Sequence, residues 1–195
     1  MLFTSFASAL EIPALKARVN DYANMLSPQT RNELEIKLEE LEKTDSTQVV
    51  VLTLPSLEGD ALESFSIRVA EKWKIGQKKL DNGAILVIAK NDRKVRIEVG
   101  YGLEGKLTDL ISGRIIGNII IPNFRNDDFD RGVSDGIDAI ISVVKGEFKA
   151  DAFKDRTDGR EKSFFSGNGI FFLFFFLFFI GIIGSIKRIF GGVMG

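Results

Sequence analysis

From Ser163 to Ile186 the sequence carries no charged residue, and between Ile170 and Ile186 only Gly181, Gly184 and Ser185 interrupt Phe, Leu and Ile. At about 1.5 Å per helical residue these 17 residues cover roughly 25 Å, near the short end of what a bilayer core requires. Ten of the 17 phenylalanines fall between Phe164 and Phe190. A domain this small cannot bury a helix that is apolar all the way round. The run therefore predicts one transmembrane helix at 164–189, and a chain held in a membrane by a single pass. Lys187 and Arg188 flank it on one side and Lys154, Arg156, Arg160 and Lys162 on the other, so local charge does not set its orientation. The other end speaks to orientation. A short, mostly apolar stretch from Leu2 to Phe6 leads into Ala7-Ser8-Ala9, the small-x-small form of a signal-peptidase site. Residues 1–9 read as the remnant of a signal peptide, which places the domain outside the cell (inner) membrane, extracytoplasmic or periplasmic. A cytoplasmic, tail-anchored chain is the competing reading. Residues 149–163 are polar and charged and read as a linker, and 190–195 as the start of a glycine-rich tail.

What remains, residues 10–148, must form one core. Its chemistry is narrowed by what the chain lacks. With no cysteine there is no disulfide, thiolate nucleophile or Cys-bound zinc, and with no histidine the commonest general base and metal ligand are missing. Any resident metal must be held by oxygen, which favours Ca²⁺, Mg²⁺ or Mn²⁺. The 26 basic and 27 acidic residues nearly cancel, so nothing points to nucleic acid as a partner.

Helices and strands alternate along this segment. Ser27-Pro28 pairs a capping residue with proline at the first turn, and Leu34, Leu38 and Leu41 continue as an apolar stripe. Gln48–Leu54 and Ala84–Ala89 are continuous apolar runs of strand length. Between them Asp60 is expected to cap a helix carrying Leu62, Phe65, Val69 and Trp73. Lys94–Val99 alternates and is joined to the preceding strand through Asn91-Asp92 as a hairpin. Helices are expected from about Thr108 to Ile121 and from Asp128 to Val144. Strand, helix, parallel strand and antiparallel partner, with helices on both faces, describe a three-layer α/β/α sandwich on a small mixed sheet.

The hairpin gathers carboxylates. Pairing across Asn91-Asp92 sets Ala89 opposite Lys94 and Ile85 opposite Glu98, and carries Asp81 beside Gly102. Asp81-Asn82-Gly83 thus meets Gly100-Tyr101-Gly102-Leu103-Glu104-Gly105, with Asp109 a turn further on. Asp81, Glu98, Glu104 and Asp109 on glycine-rich loops suit an oxygen-ligand cation site, because gathered like charges need a compensating cation. The bland alternative makes Asp81 a turn residue, Asp109 a helix cap and both glutamates solvated. Asp127 and Asp128 form a second acidic group, read chiefly as a cap for the last helix and otherwise as ligands of a second ion. Gly100-x-Gly102-x-x-Gly105 also matches the dinucleotide fingerprint. It is set aside because its strand closes a hairpin and does not open a βαβ unit, so no nucleotide is expected.

Trp73-Lys74-Ile75-Gly76, Asp81-Asn82-Gly83, Val99-Gly100-Tyr101-Gly102-Leu103-Glu104-Gly105, Leu107-Thr108-Asp109 and Pro122-Asn123-Phe124-Arg125 together resemble the TPM domain family of bacterial envelopes and the thylakoid lumen. Ile12-Pro13-Ala14-Leu15, Val19-Asn20-Asp21 and Leu26-Ser27-Pro28 are similar too. The resemblance implies an α/β/α sandwich, a signal peptide, a C-terminal span with a glycine-rich tail, and divalent-cation binding, Ca²⁺ foremost, at Asp81, Glu104 and Asp109. The short leader and the brief tail depart from that pattern. Two functions compete: a cation-binding accessory or assembly module with envelope or membrane protein partners, and a metal-dependent phosphatase acting on phosphomonoesters. For the second, only metal-activated water near Asp81 and Asp109 offers a route, since a histidine or cysteine nucleophile, a P-loop and an Asp-x-Asp strand terminus are all missing. In a third reading the span contacts other membrane proteins through Gly181 and Gly184.

Overall fold

The computed structural model describes residues 9–147. The sequence-predicted span, linker and tail lie outside them, as does nearly all of the signal remnant. No helix among the described residues is long and apolar enough to cross a membrane.

Four strands form the sheet in the order β1 (Val19–Asp21), β2 (Gln48–Leu54), β3 (Gly83–Ala89), β4 (Lys94–Val99). β1, β2 and β3 run parallel and β4 returns antiparallel to β3. Ala89 stands opposite Lys94 and Ile85 opposite Glu98, the register expected from the hairpin. The connection between these strands is tied down by Asp92, whose carboxylate accepts the Leu57 N–H at 2.8 Å. That bond holds the carboxyl below its ordinary pKa. β1 was not anticipated: three residues with one apolar side chain carry too little pattern to read.

β2 and β3 are buried almost throughout, which is why they lack polar alternation. One face carries Val50, Leu52, Leu54, Ile85, Val87 and Ala89 and packs on α2 (Leu62–Trp73) through Leu62, Phe65, Val69 and Trp73. The other face, with Val49, Val51, Leu86 and Ile88, is equally buried. There α1 (Pro28–Asp45) packs on β2, and α5 (Phe129–Lys145) packs on α1. α1 starts as its sequence dictates: the Ser27 hydroxyl accepts the Thr30 N–H at 3.2 Å, and Leu34, Leu38 and Leu41 are buried. The result is a mixed α/β fold with helices over both faces.

Two helix boundaries differ from expectation. Asp60 does not cap α2, whose N-cap is Ala61 without a side-chain bond. Its carboxylate is drawn instead to the Leu10 N–H at 3.0 Å and to the Arg68 guanidinium, which holds Asp60 below the ordinary carboxylate range. The helix expected from 108 to 121 starts where predicted, capped by Thr108, but is not uniform. α3 (Asp109–Ile115) passes through a π turn (Ile116–Ile120) into α4 (Ile121–Phe124). Pro122 supplies the cause. It has no N–H to return to Asn118, and the wider turn lets Ile121 reach Ile116 instead.

Candidate functional site

The segment between α2 and β3 is built to meet the segment after β4. Lys74 ends α2 in the left-handed conformation and Gly76 follows at φ +100°, with its N–H held by the Gln48 side chain at 2.7 Å. Buried Asn82 pins the loop from within. Its amide oxygen accepts the Gln77 N–H at 2.9 Å and its amide nitrogen donates to the Ser46 carbonyl at 2.8 Å. Asp81, at φ +47°, clamps the far loop at two points: its carbonyl accepts the Gly102 N–H at 3.0 Å and Oδ2 accepts the Tyr101 N–H at 3.0 Å.

This contact explains the glycines. A Cβ on Gly102 would lie 1.9 Å from the Leu80 carbonyl oxygen, and one on Gly83 2.2 Å from that of Ile75. Backbone against backbone leaves no room for a side chain. Gly100 and Gly102 of the Gly100-x-Gly102-x-x-Gly105 pattern therefore record close approach of two loops, while a side chain at Gly105 would meet open space, and a 3₁₀ turn at Tyr101–Leu103 stands where a strand-to-helix phosphate cradle would be.

The interlocked loops form one end of an open groove of about 510 Å³ running between α2 and β4. Ile67, Ala70, Glu71 and Lys74 line it from α2, Asp81 and Lys78 from the loop, and Glu98, Tyr101 and Glu104 from β4 and beyond. Glu98 is engaged: Oε2 accepts from the Ser66 hydroxyl and from Arg96 Nε, each at 2.7 Å. Tyr101 is 79% exposed and stands over the rim.

Of the residues expected to bind a cation, Asp81, Glu98 and Glu104 share this groove. Asp109 does not line it and sits exposed in the first turn of α3. Asp127 occupies a left-handed turn at φ +57°, and Asp128 caps α5, its Oδ1 accepting the Arg131 N–H at 3.2 Å. Among the described residues no three Asp or Glu side chains converge into one group. The groove residues missed in the sequence are those of α2. Ile67, Ala70, Glu71 and Lys74 recur at helical spacing on one face, a mixed polar and apolar set that stands out less in sequence than the buried stripe of Phe65, Val69 and Trp73 beside it.

A family model described as the TPM domain matches residues 19–143. The solution structure of the N-terminal domain of a protein from P. gingivalis is 36% identical, with a TM-score of 0.63 over 66% of this chain and 82% of that one. Two more distant structures share the fold. The BA42 protein from the psychrophilic bacterium Bizionia argentinensis is 22% identical (TM-score 0.54, 65% of this chain and 87% of that one). The N-terminal domain of a Corynebacterium glutamicum protein is 14% identical (TM-score 0.53, 75% and 92%). No curated protein matches the chain.

Proposed function

The chain belongs to the TPM domain family, and from that premise we propose a cell-envelope accessory or assembly module whose groove loops bind a divalent cation, Ca²⁺ foremost. A single span at 164–189 holds it in the cell (inner) membrane with the folded part extracytoplasmic or periplasmic, where it meets envelope or membrane protein partners.

The observation that carries the cation reading is that Asp81 and Glu104 border one groove on loops fixed by Asn82 and by the Asp81 clamp. The donors fit an oxygen-ligand ion of loose geometry better than a preformed cage. Asp81 keeps Oδ1 free of the Tyr101 bond, and the Glu104 carboxylate accepts no hydrogen bond among the described residues, its backbone N–H alone donating to the Tyr101 carbonyl. Ca²⁺ tolerates backbone carbonyls and water in its remaining positions, whereas Mg²⁺ and Mn²⁺ ask for tighter arrangements. Few charged ligands imply a weak site, with a Kd on the order of 10⁻⁴–10⁻³ M. Asp109 enters this reading as a peripheral ligand, since it does not line the groove.

Thermal unfolding tests it. Against a Kd of about 0.5 mM, 10 mM Ca²⁺ stabilises the fold by about 1.8 kcal/mol, a rise of several degrees in melting temperature. The rise is expected to vanish in Asp81→Asn/Glu104→Gln and to shrink in Asp109→Asn; an equal rise in all of them would remove the site. Hydrolysis of p-nitrophenyl phosphate that needs Ca²⁺ or Mg²⁺ and is lost in the double variant would replace the accessory module with a phosphatase. Because the chain has no cysteine, one introduced at exposed Lys43 reports topology. It is expected to react with an impermeant maleimide on intact cells, and protection there would place the domain in the cytoplasm.

A further inference from the structure

β4 is an edge of the sheet, and its hydrogen-bond phase can be read from its end. The Gly100 N–H donates to the Gly83 carbonyl at 2.8 Å, so the pairs that exchange bonds with β3 are the even-numbered residues of β4: Lys94, Arg96 and Glu98. The N–H and C=O groups of Val95, Ile97 and Val99 point the other way, and among the described residues none of them meets a partner. The strand has six residues, with no proline and no bulge. Nothing in its backbone blunts the edge, although charged side chains usually do so in unpaired strands.

We propose that this edge pairs with the β4 edge of a second copy of the chain, antiparallel about a two-fold axis at Ile97, which joins two sheets into one of eight strands. Charge selects both the occupant and the register. With Ile97 opposite Ile97 of the second copy, each Arg96 faces a Glu98 and each Val95 faces a Val99, while Lys94 faces Gly100. Sliding the strands by one pair in one direction sets Arg96 against Arg96; sliding in the other sets Glu98 against Glu98. Like charges directly opposite are destabilising, so one register is favoured over its neighbours. A two-fold axis normal to the sheet keeps faces matched. Arg96 and Glu98 lie on the α2 face, where Glu98 bonds Ser66, and Ile97 lies on the opposite face at 6% exposure. On α2, Ile67 is 45% exposed and lines the same groove as Glu98 and Val99, so apolar surface beside the edge would be covered by the second copy.

The test uses the full chain in detergent micelles, with circular dichroism to show that each variant is folded. Wild type is expected to elute as a dimer. Arg96→Glu and Glu98→Arg are each expected to be monomers, since each sets like charges across the axis. Mixed in equal amounts they are expected to form a heterodimer, which an effect within one chain cannot produce because each variant has lost its own Arg96–Glu98 pair. A second route needs no charge. Arg96→Cys and Glu98→Cys chains form a non-hydrogen-bonded pair with Cα atoms about 4.5 Å apart and should cross-link when mixed, whereas Lys94→Cys with Arg96→Cys should not. A monomeric wild type overturns the proposal, whether the edge stays bare or takes a strand from another protein. So do single charge variants that remain dimers, or cysteine pairs that link without regard to register.

Discussion

The two edges of the sheet use the same kind of side chain for opposite purposes. At the β1 edge, carboxylates are spent on the backbone. Asp21 accepts the Met25 and Leu26 N–H groups, each at 3.0 Å, together with the Thr53 hydroxyl. Glu35 accepts the Arg18 and Val19 N–H groups at 3.1 and 2.9 Å and shares the Arg18 guanidinium with Glu42. At the β4 edge no side chain reaches the outward backbone of Val95, Ile97 or Val99 among the described residues, and Glu104 and half of Asp81 face an open groove. A carboxylate whose oxygens all hold N–H groups is architecture. One left beside a rigid loop with an oxygen to spare is available to a ligand.

Substitutions can break this contrast, the largest effect first. Asp21→Ala removes three hydrogen bonds from a half-buried acceptor and is expected to cost about 3 kcal/mol in denaturant unfolding, with Asp21→Asn recovering part of it. Gly102→Ala forces the Leu80 carbonyl away and is expected to cost about 2 kcal/mol, with loss of any Ca²⁺ response as the clamp at Asp81 opens. Asp60→Asn should cost about 1 kcal/mol at neutral pH. Because Asp60 is held below its unfolded value by Arg68, its contribution is present above about pH 4 and fades as pH falls through the folded-state value. The variant is therefore expected to show a shallower loss of stability on acidification. Glu104→Gln should change stability by less than about 0.5 kcal/mol and yet weaken Ca²⁺ binding, the signature of a carboxylate not used by the fold.

Much of this organisation could be read from spacing. The hairpin rule that set Ala89 against Lys94 also brought Asp81 to Gly102, and with it Glu98 and Glu104 to one groove, because pairing propagates register along the ladder. No such rule reaches Asp109. Its place depends on the 3₁₀ turn at 101–103 and on the path through Lys106, whose amine bonds the Val144 carbonyl at the end of α5. β1 escaped notice for a related reason. Val19-Asn20-Asp21 is a strand because it pairs with Val51, Leu52 and Thr53 of β2, while Glu35 holds the Val19 N–H and the Thr53 hydroxyl bonds Asp21, contacts made across the chain and without periodicity. Asp60 looked like a cap locally, and the Leu10 segment and Arg68 outbid the helix end for its carboxylate.

A Ca²⁺ titration of the isotope-labelled chain, followed amide by amide in solution NMR, tests the contrast directly. The account predicts saturable shifts confined to residues 76–83 and 98–109, with the amides of Val19, Met25 and Leu26 unmoved. Shifts at the β1 edge as large as those at the groove, or none at either up to 10 mM Ca²⁺, would contradict it.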